Sequence, residues 1–250
     1  MLLTSSLLGR DADMLADDAL SDMPAFTLPG LGANTLPFVV RVVRNESHLQ
    51  HVCALRAEAY GRRMPAFGES LQRPEPADRA PGTAILMAQD KSSGAVVGTM
   101  RIHSNLFETL PIEGAFKFPK SMRGQLLVEL CRFSIQPGYN NTAVRLALFK
   151  AMYLYCYAHQ VQHIWVAARR PLDRIYKSLG FTSPQAEDVW VPLSYADNIP
   201  HSILSFDVLA AERLWHDIRH PLYTFMVRTY HPDIQVFSGG SPWGGVPAPR

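Results

Sequence analysis

Three cysteines in 250 residues, Cys53, Cys131 and Cys156, are odd in number and too far apart for any Cys-x-x-Cys pair. That argues against a disulfide scaffold and the common zinc arrangements, and it suits a reducing compartment. The histidines contain no His-Glu-x-x-His motif, so no metal is expected. Charge of one sign is also lacking: 24 basic residues face 22 acidic ones, for a net charge of +2, and the basic clusters are too short to suggest nucleic acid. No apolar run approaches the roughly 20 residues that span a bilayer. The first ten residues carry no cationic region of the secretory kind, and Asp11, Asp13, Asp17 and Asp18 follow directly. Neither a Gly-x-Ser-x-Gly elbow nor a Walker loop is present. The expectation is a soluble cytoplasmic chain.

What is there is ample apolar material. Hydrophobic residues make up 47% and charged residues 18%, enough for a sizeable core. Residues 1–36 read as a flexible leader rich in Asp, Gly and Pro. Residues 238–250, with two Gly-Gly pairs and three prolines, read as a flexible tail. Residues 37–237 between them form one domain.

Inside that domain, strand and helix patterns alternate. The β-branched run at 38–43 predicts a strand, and the apolar spacing over 46–60 predicts an amphipathic helix. Residues 61–81, with four prolines, read as a loop. Strands follow at 83–89 and 95–103 around an Asp-Lys-Ser-Ser-Gly turn, with another at 127–135. An apolar helix over 142–160 precedes a short strand at 163–168 and a helix from Pro171 to Gly180. Strands at 189–193 and 202–206, a helix capped by Asp207 and running to Ile218, and another over 221–230 complete the reading. This order predicts an α/β (α+β) fold, a central mixed twisted sheet with helices on both faces and extra C-terminal helices from about 207.

Several motifs carry chemistry. Arg56-x-x-x-Tyr60 sits on the first helix and Asp78 in the loop after it. Gly98-Thr99-Met100-Arg101 and Glu129-Leu130-Cys131-Arg132-Phe133 lie on strands. Tyr176 precedes Leu179-Gly180-Phe181, where glycine allows a left-handed helix stop. In order and spacing these resemble acyl-homoserine-lactone synthases and, more closely, long-chain N-acyl amino acid synthases. Both are branches of the GNAT acyltransferase superfamily. The segment from Gln136-Pro137-Gly138-Tyr139 also resembles the approach to that superfamily's CoA pyrophosphate loop. Asn141, Ala143 and Arg145 stand at the usual glycine positions, however, so close backbone approach to a pyrophosphate is disfavoured.

The resemblance implies an N-acyltransferase with no permanently bound cofactor. It would take a long-chain acyl group from the phosphopantetheine of acyl carrier protein, in preference to CoA, and place it on the α-amine of a small-molecule amino acid. Glu129 is the candidate general base, and Arg101 and Arg132 are candidates for holding the acceptor carboxylate. Arg56, Tyr60, Asp78, Phe133, Ser134 and Tyr176 complete the implied substrate site, with Tyr176 facing its acyl-carrier end. Charged residues in so apolar a strand need partners, so Arg56, Arg101, Arg132, Asp78 and Glu129 are expected to form one buried network. On a regular strand Glu129 and Arg132 would face opposite sides unless a bulge intervenes. Backbone N–H groups released by a bulge near 133–135 would suit the thioester oxygen.

Lys117, Lys120, Arg123, Arg169 and Arg170 are candidates for meeting the acidic carrier protein, or are simply solvated. Leu146, Leu148, Phe149 and Met152 read first as core packing, with an acyl tunnel as the alternative. The remaining functional alternatives are a lactone synthase using S-adenosylmethionine, an acetyl-CoA N-acetyltransferase, and a non-catalytic domain binding acyl carrier protein or lipid.

Overall fold

A computed structural model describes residues 35–136, 139, 142–185, 189–194, 198–237 and 243–247. The predicted leader through residue 34, and the Pro137, Gly138, Asn140 and Asn141 positions of the substituted loop, lie outside the described residues.

Eight strands form one sheet in the order β6-β7-β5-β4-β3-β2-β1-β8. They are β1 (Phe38–Val42), β2 (Thr83–Asp90), β3 (Val96–Ser104), β4 (Leu127–Ile135), β5 (His163–Ala168), β6 (Val191–Pro192), β7 (Pro200–Asp207) and β8 (Ile234–Gln235). Only β4–β5 and β1–β8 pair in parallel; the other neighbours are antiparallel. The mixed sheet is the predicted one, and β8 is an addition.

One helix dominates each face. On one side α1 (Glu46–Gly61) starts at Asn45, whose side chain accepts the His48 N–H at 2.8 Å, and buries Leu49, Val52 and Cys53. On the other side α4 (Thr142–Ala158) supplies Val144, Leu148, Phe149 and Met152 to the main core. It rests directly on β3 at Gly98, where a Cβ would come within 2.7 Å of Val144 Cγ1. The glycine of the Gly-x-x-Arg motif is therefore a packing requirement. The apolar residues of α4 fill the core, as the simpler reading expected.

The stretch at 61–81 is not one loop. It holds α2 (Pro65–Ser70) and the short turn α3 (Pro76–Arg79). Each begins on a proline, whose missing N–H costs nothing in a first turn, so prolines that suggested a loop mark helix starts instead. The predicted helix from Pro171 shortens to α5 (Leu172–Ser178), and Gly180 stops it with φ +98°. Beyond β7 the boundaries also move. Asp207 ends that strand and accepts the Ala210 N–H, and α6 spans Ala211–Asp217. The helix expected over 221–230 is a π-helical turn at Thr224–Arg228. That turn is tied to α4 by Lys150, 2% exposed, which donates to the carbonyls of Phe225 and Thr229 and lies over the Phe225 ring.

Residues 243–247 lie against the body where a flexible tail was expected. The Trp243 carbonyl accepts the Gly82 N–H at 2.8 Å, Arg79 donates to the Pro247 carbonyl at 3.0 Å, and Val246 joins the α1 core. Gly245, at φ +64°, passes so close that a Cβ would fall 2.7 Å from the Arg79 carbonyl oxygen. Among the described residues no helix is long and apolar enough to cross a membrane.

Candidate active site

The site forms where two parallel strands part. Pairing of β4 with β5 runs from Leu127↔His163 to Leu130↔Val166 and stops there, although β4 continues to Ile135 and β5 to Ala168. On the α1 side of this parting lies a cavity of about 100 Å³. Tyr60, Phe67, Glu129, Arg132, Arg169 and His201 are among its walls.

A bulge places the β4 residues. Cys131 pairs with Arg101 and Ser134 with Thr99, so Arg132 and Phe133 together oppose Met100. Arg132 takes up the extra length at φ +55°, in the left-handed region. Its guanidinium thereby turns to the same side as Glu129, where it meets Glu75, while Phe133 turns to the other side and stacks on Phe149. The sequence pattern allowed this arrangement only with a bulge, and the bulge is there.

The expected buried network forms, with one member exchanged. Asp78, fully buried, accepts from Arg56 at 2.8 Å and from Arg101 at 3.1 Å. The second carboxylate is Glu75, which accepts from Arg101 at 2.9 Å and from both Nε and Nη2 of Arg132 at 2.7 and 2.5 Å. Arg101 also donates its Nε–H to Cys131 Sγ at 3.2 Å. Burial raises the pKa of Glu75, but the bond from Arg132 and the charges of Arg101 and Arg132 outweigh it and hold the carboxyl below its ordinary range. Burial likewise acts on Asp78, and Arg56 and Arg101 overcome it. Arg101 and Arg132 are held above theirs because their anionic neighbours outweigh burial.

Glu129 lies on the same strand as Arg132. It is 2% exposed and accepts the Ile112 N–H at 2.8 Å. The segment at 110–118 crosses this face, with Phe116 and Phe118 against Trp165, the β5 residue in register with Glu129. Tyr60 meets Phe67 edge to face, Phe67 lies under the Arg132 guanidinium at 5.0 Å, and burial raises the Tyr60 pKa.

The other predicted residues disperse. Tyr176 does not line the cavity; it is in the core between Phe149 and Phe181, where burial raises its pKa. Ser134 is buried next to the bulge. Lys117, Lys120 and Arg123 are exposed, and Arg170 is exposed over the Trp190 ring at 4.8 Å. Arg169, grouped with them as a surface cation, instead lines the cavity. Sequence reasoning missed Glu75, Phe67 and His201. Only Glu75 left a trace, in the Glu-x-x-Asp spacing at a helix start, where its own N–H donates to Asp78 at 2.9 Å.

The sequence pattern of the family described as N-acyl amino acid synthase FeeM matches residues 51–192, more than half of the chain and every wall of the cavity up to Arg169. The chain belongs to this family. It is an N-acyltransferase. The solved structure of FeeM, an N-acyl amino acid synthase from uncultured soil microbes, is 17% identical with a TM-score of 0.57, covering 76% of this chain and 98% of that one. The CoA-dependent acyl-homoserine lactone synthase BjaI, with MTA, is 16% identical with a TM-score of 0.53, over 82% of this chain and 96% of its own. At these identities the likeness is one of fold. No curated protein matches the chain.

Proposed function

We propose that this N-acyltransferase moves a long-chain acyl group from acyl carrier protein to the α-amine of a free amino acid. The observation that carries the reading is the placement of Glu129, a buried carboxylate lining a small cavity at the point where β4 and β5 part. An ammonium has no lone pair, so the acceptor must first lose a proton, and Glu129 takes it. The neutral amine nitrogen then attacks the thioester carbonyl. The C–N bond forms, the C–S bond breaks, the nitrogen gives up its second proton to solvent, and the leaving thiolate takes the proton held by Glu129 to become the pantetheine thiol. Backbone N–H groups at the bulged, parted end of β4 suit the oxygen that gains charge in between.

At about 100 Å³ the cavity lies well below the ~300–1,000 Å³ of a whole drug-sized ligand site. It suits the acceptor's head group, while the acyl thioester approaches through the parting of the strands. The exposed Lys117, Lys120, Arg123 and Arg170 suit an acidic carrier protein.

The test gives the purified chain a long saturated acyl group on acyl carrier protein or on CoA, with a mixture of free amino acids, and reads products by mass spectrometry. N-acyl amino acids are expected, formed faster from the carrier protein and more slowly as salt rises. Glu129→Gln should lower turnover by about 10²–10⁴-fold with donor binding unchanged. Failure of both donors to give any N-acyl amino acid would end this reading, and an unaffected Glu129→Gln would end the base assignment.

A further inference from the structure

Arg56, Arg101 and Arg132 reach the site already committed to Asp78 and Glu75. Arg101 and Arg132 are thus poor candidates for gripping an acceptor carboxylate, because an incoming anion would have to displace a partner already in place. Of the three only Arg132 lines the cavity, which has one other guanidinium among its walls. Arg169 follows β5, half-buried, its carbonyl accepting the Asp173 N–H at 3.2 Å. Among the described residues its side chain makes no ion pair or hydrogen bond.

We infer that Arg169 is the residue that binds the carboxylate of the acceptor, so that the acceptor is selected for carrying a free carboxylate next to its amine. The inference deepens the amino acid reading above and rests on it for the acceptor's amine. Glu129 and Arg169 are both walls of one small cavity, one on β4 and the other just past β5 on the far side of the parting. An α-amino acid has its ammonium and carboxylate on one carbon, and a cavity with an anion on one strand and a guanidinium on the next matches that polarity. A guanidinium can take a carboxylate through two parallel N–H bonds, which fixes orientation as well as affinity.

The surroundings reinforce the match. Burial lowers the Arg169 pKa, Tyr60 opposes this, and Arg63 lowers it further. His201, another wall, is pushed toward neutrality by burial and, after an opposing bond to the Ile199 carbonyl, by Arg169 itself. A bound carboxylate relieves both effects. An acceptor lacking it, such as an amine or a carboxamide, leaves a desolvated cation facing nothing, which is how polar sites reject analogues without the matching group.

The experiment measures binding of alanine, leucine and phenylalanine, each against its own carboxamide, to the full chain by saturation-transfer NMR. The wild type should prefer the free acid by about 10- to 100-fold, the scale of a charge-assisted hydrogen bond. Arg169→Gln should abolish that preference, and Arg169→Lys should restore part of it. Arg213→Gln, exposed on α6 and outside the cavity walls, should leave it intact. A wild type without preference, a preference that survives Arg169→Gln, or an equal loss in Arg213→Gln would each overturn the inference. Thermal unfolding of each variant separates loss of the grip from loss of the fold. Turnover with acyl carrier protein, run beside it, separates the two claims: an Arg169-dependent preference without acyl transfer retires the proposed reaction and leaves the carboxylate site standing.

Discussion

Three guanidiniums and two carboxylates meet beside the cavity, and Glu75 holds Arg132, the member that lines it. Glu75→Gln would leave Arg132 without its anion and Arg101 with Asp78 alone. Losing a partner from a fully buried pair costs ~3–5 kcal/mol; with Glu75 partly exposed, about 2–3 kcal/mol is expected. The effect has a pH signature. Both carboxyls are held below their unfolded values of about 3.9 for Asp and 4.3 for Glu, so in acid the unfolded chain binds more protons than the folded one. Their contribution is complete above about pH 5 and is lost as pH falls through the folded values. Urea unfolding should therefore show a wild-type advantage over Glu75→Gln that is largest at neutral pH and shrinks on acidification. A gap independent of pH would mean that Glu75 acts through packing. Four charged members were legible because their types and spacings form motifs. Glu75 was not, since it stands between two prolines in a stretch that local chemistry marks as a loop, and its partners come from β3 and β4.

The cavity wall depends on how closely α2 approaches α1. A Cβ at Gly68 would sit 2.4 Å from Gly61 Cα and 2.8 Å from the Ala57 carbonyl oxygen, both backbone atoms that cannot turn aside. Gly68→Ala must push α2 outward, at about 1–3 kcal/mol, and take Phe67 away from Tyr60 and Arg132. The expected result is a higher KM for the acceptor together with lower stability. Gly61→Ala is the contrasting variant, because its Cβ meets nothing nearer than 3.8 Å and should be tolerated. Equal effects from the two, measured side by side, would mean that the helix contact does not set the wall. Such contacts are invisible to periodicity: the pattern placed α1, the central strands and α4 well, yet α2 and α3 are too short to show a face. The bulge was legible only as a condition, since nothing but pairing with β3 decides which residue is extra.

At the scale of the whole molecule, the π-helical turn at Thr224–Arg228 is tied to α4 through Lys150, which is 2% exposed. Burial brings its pKa down to about 8, but its two carbonyl partners still require a donor. Lys150→Met keeps the length and removes the donor, leaving both carbonyls bare at a cost on the order of 2–4 kcal/mol. Hydrogen exchange should speed up first around 224–236, ahead of the central strands; uniform acceleration would show that Lys150 supports the entire core. The sequence showed this lysine only as one charge within an apolar helix, and its partners lie about 75 residues away.

The clasp of residues 243–247 on Gly82 and Arg79 also sets an order of events in time. The turn that offers Glu75 and Asp78 is synthesised well before the segment that presses on it, since Arg79 precedes Pro247 by 168 residues. A nascent chain can pair β1 with β2 and β3 and lay α1 on them long before that segment has left the ribosome. Its acidic turn then waits, with part of one flank uncovered, until Trp243 and Val246 arrive.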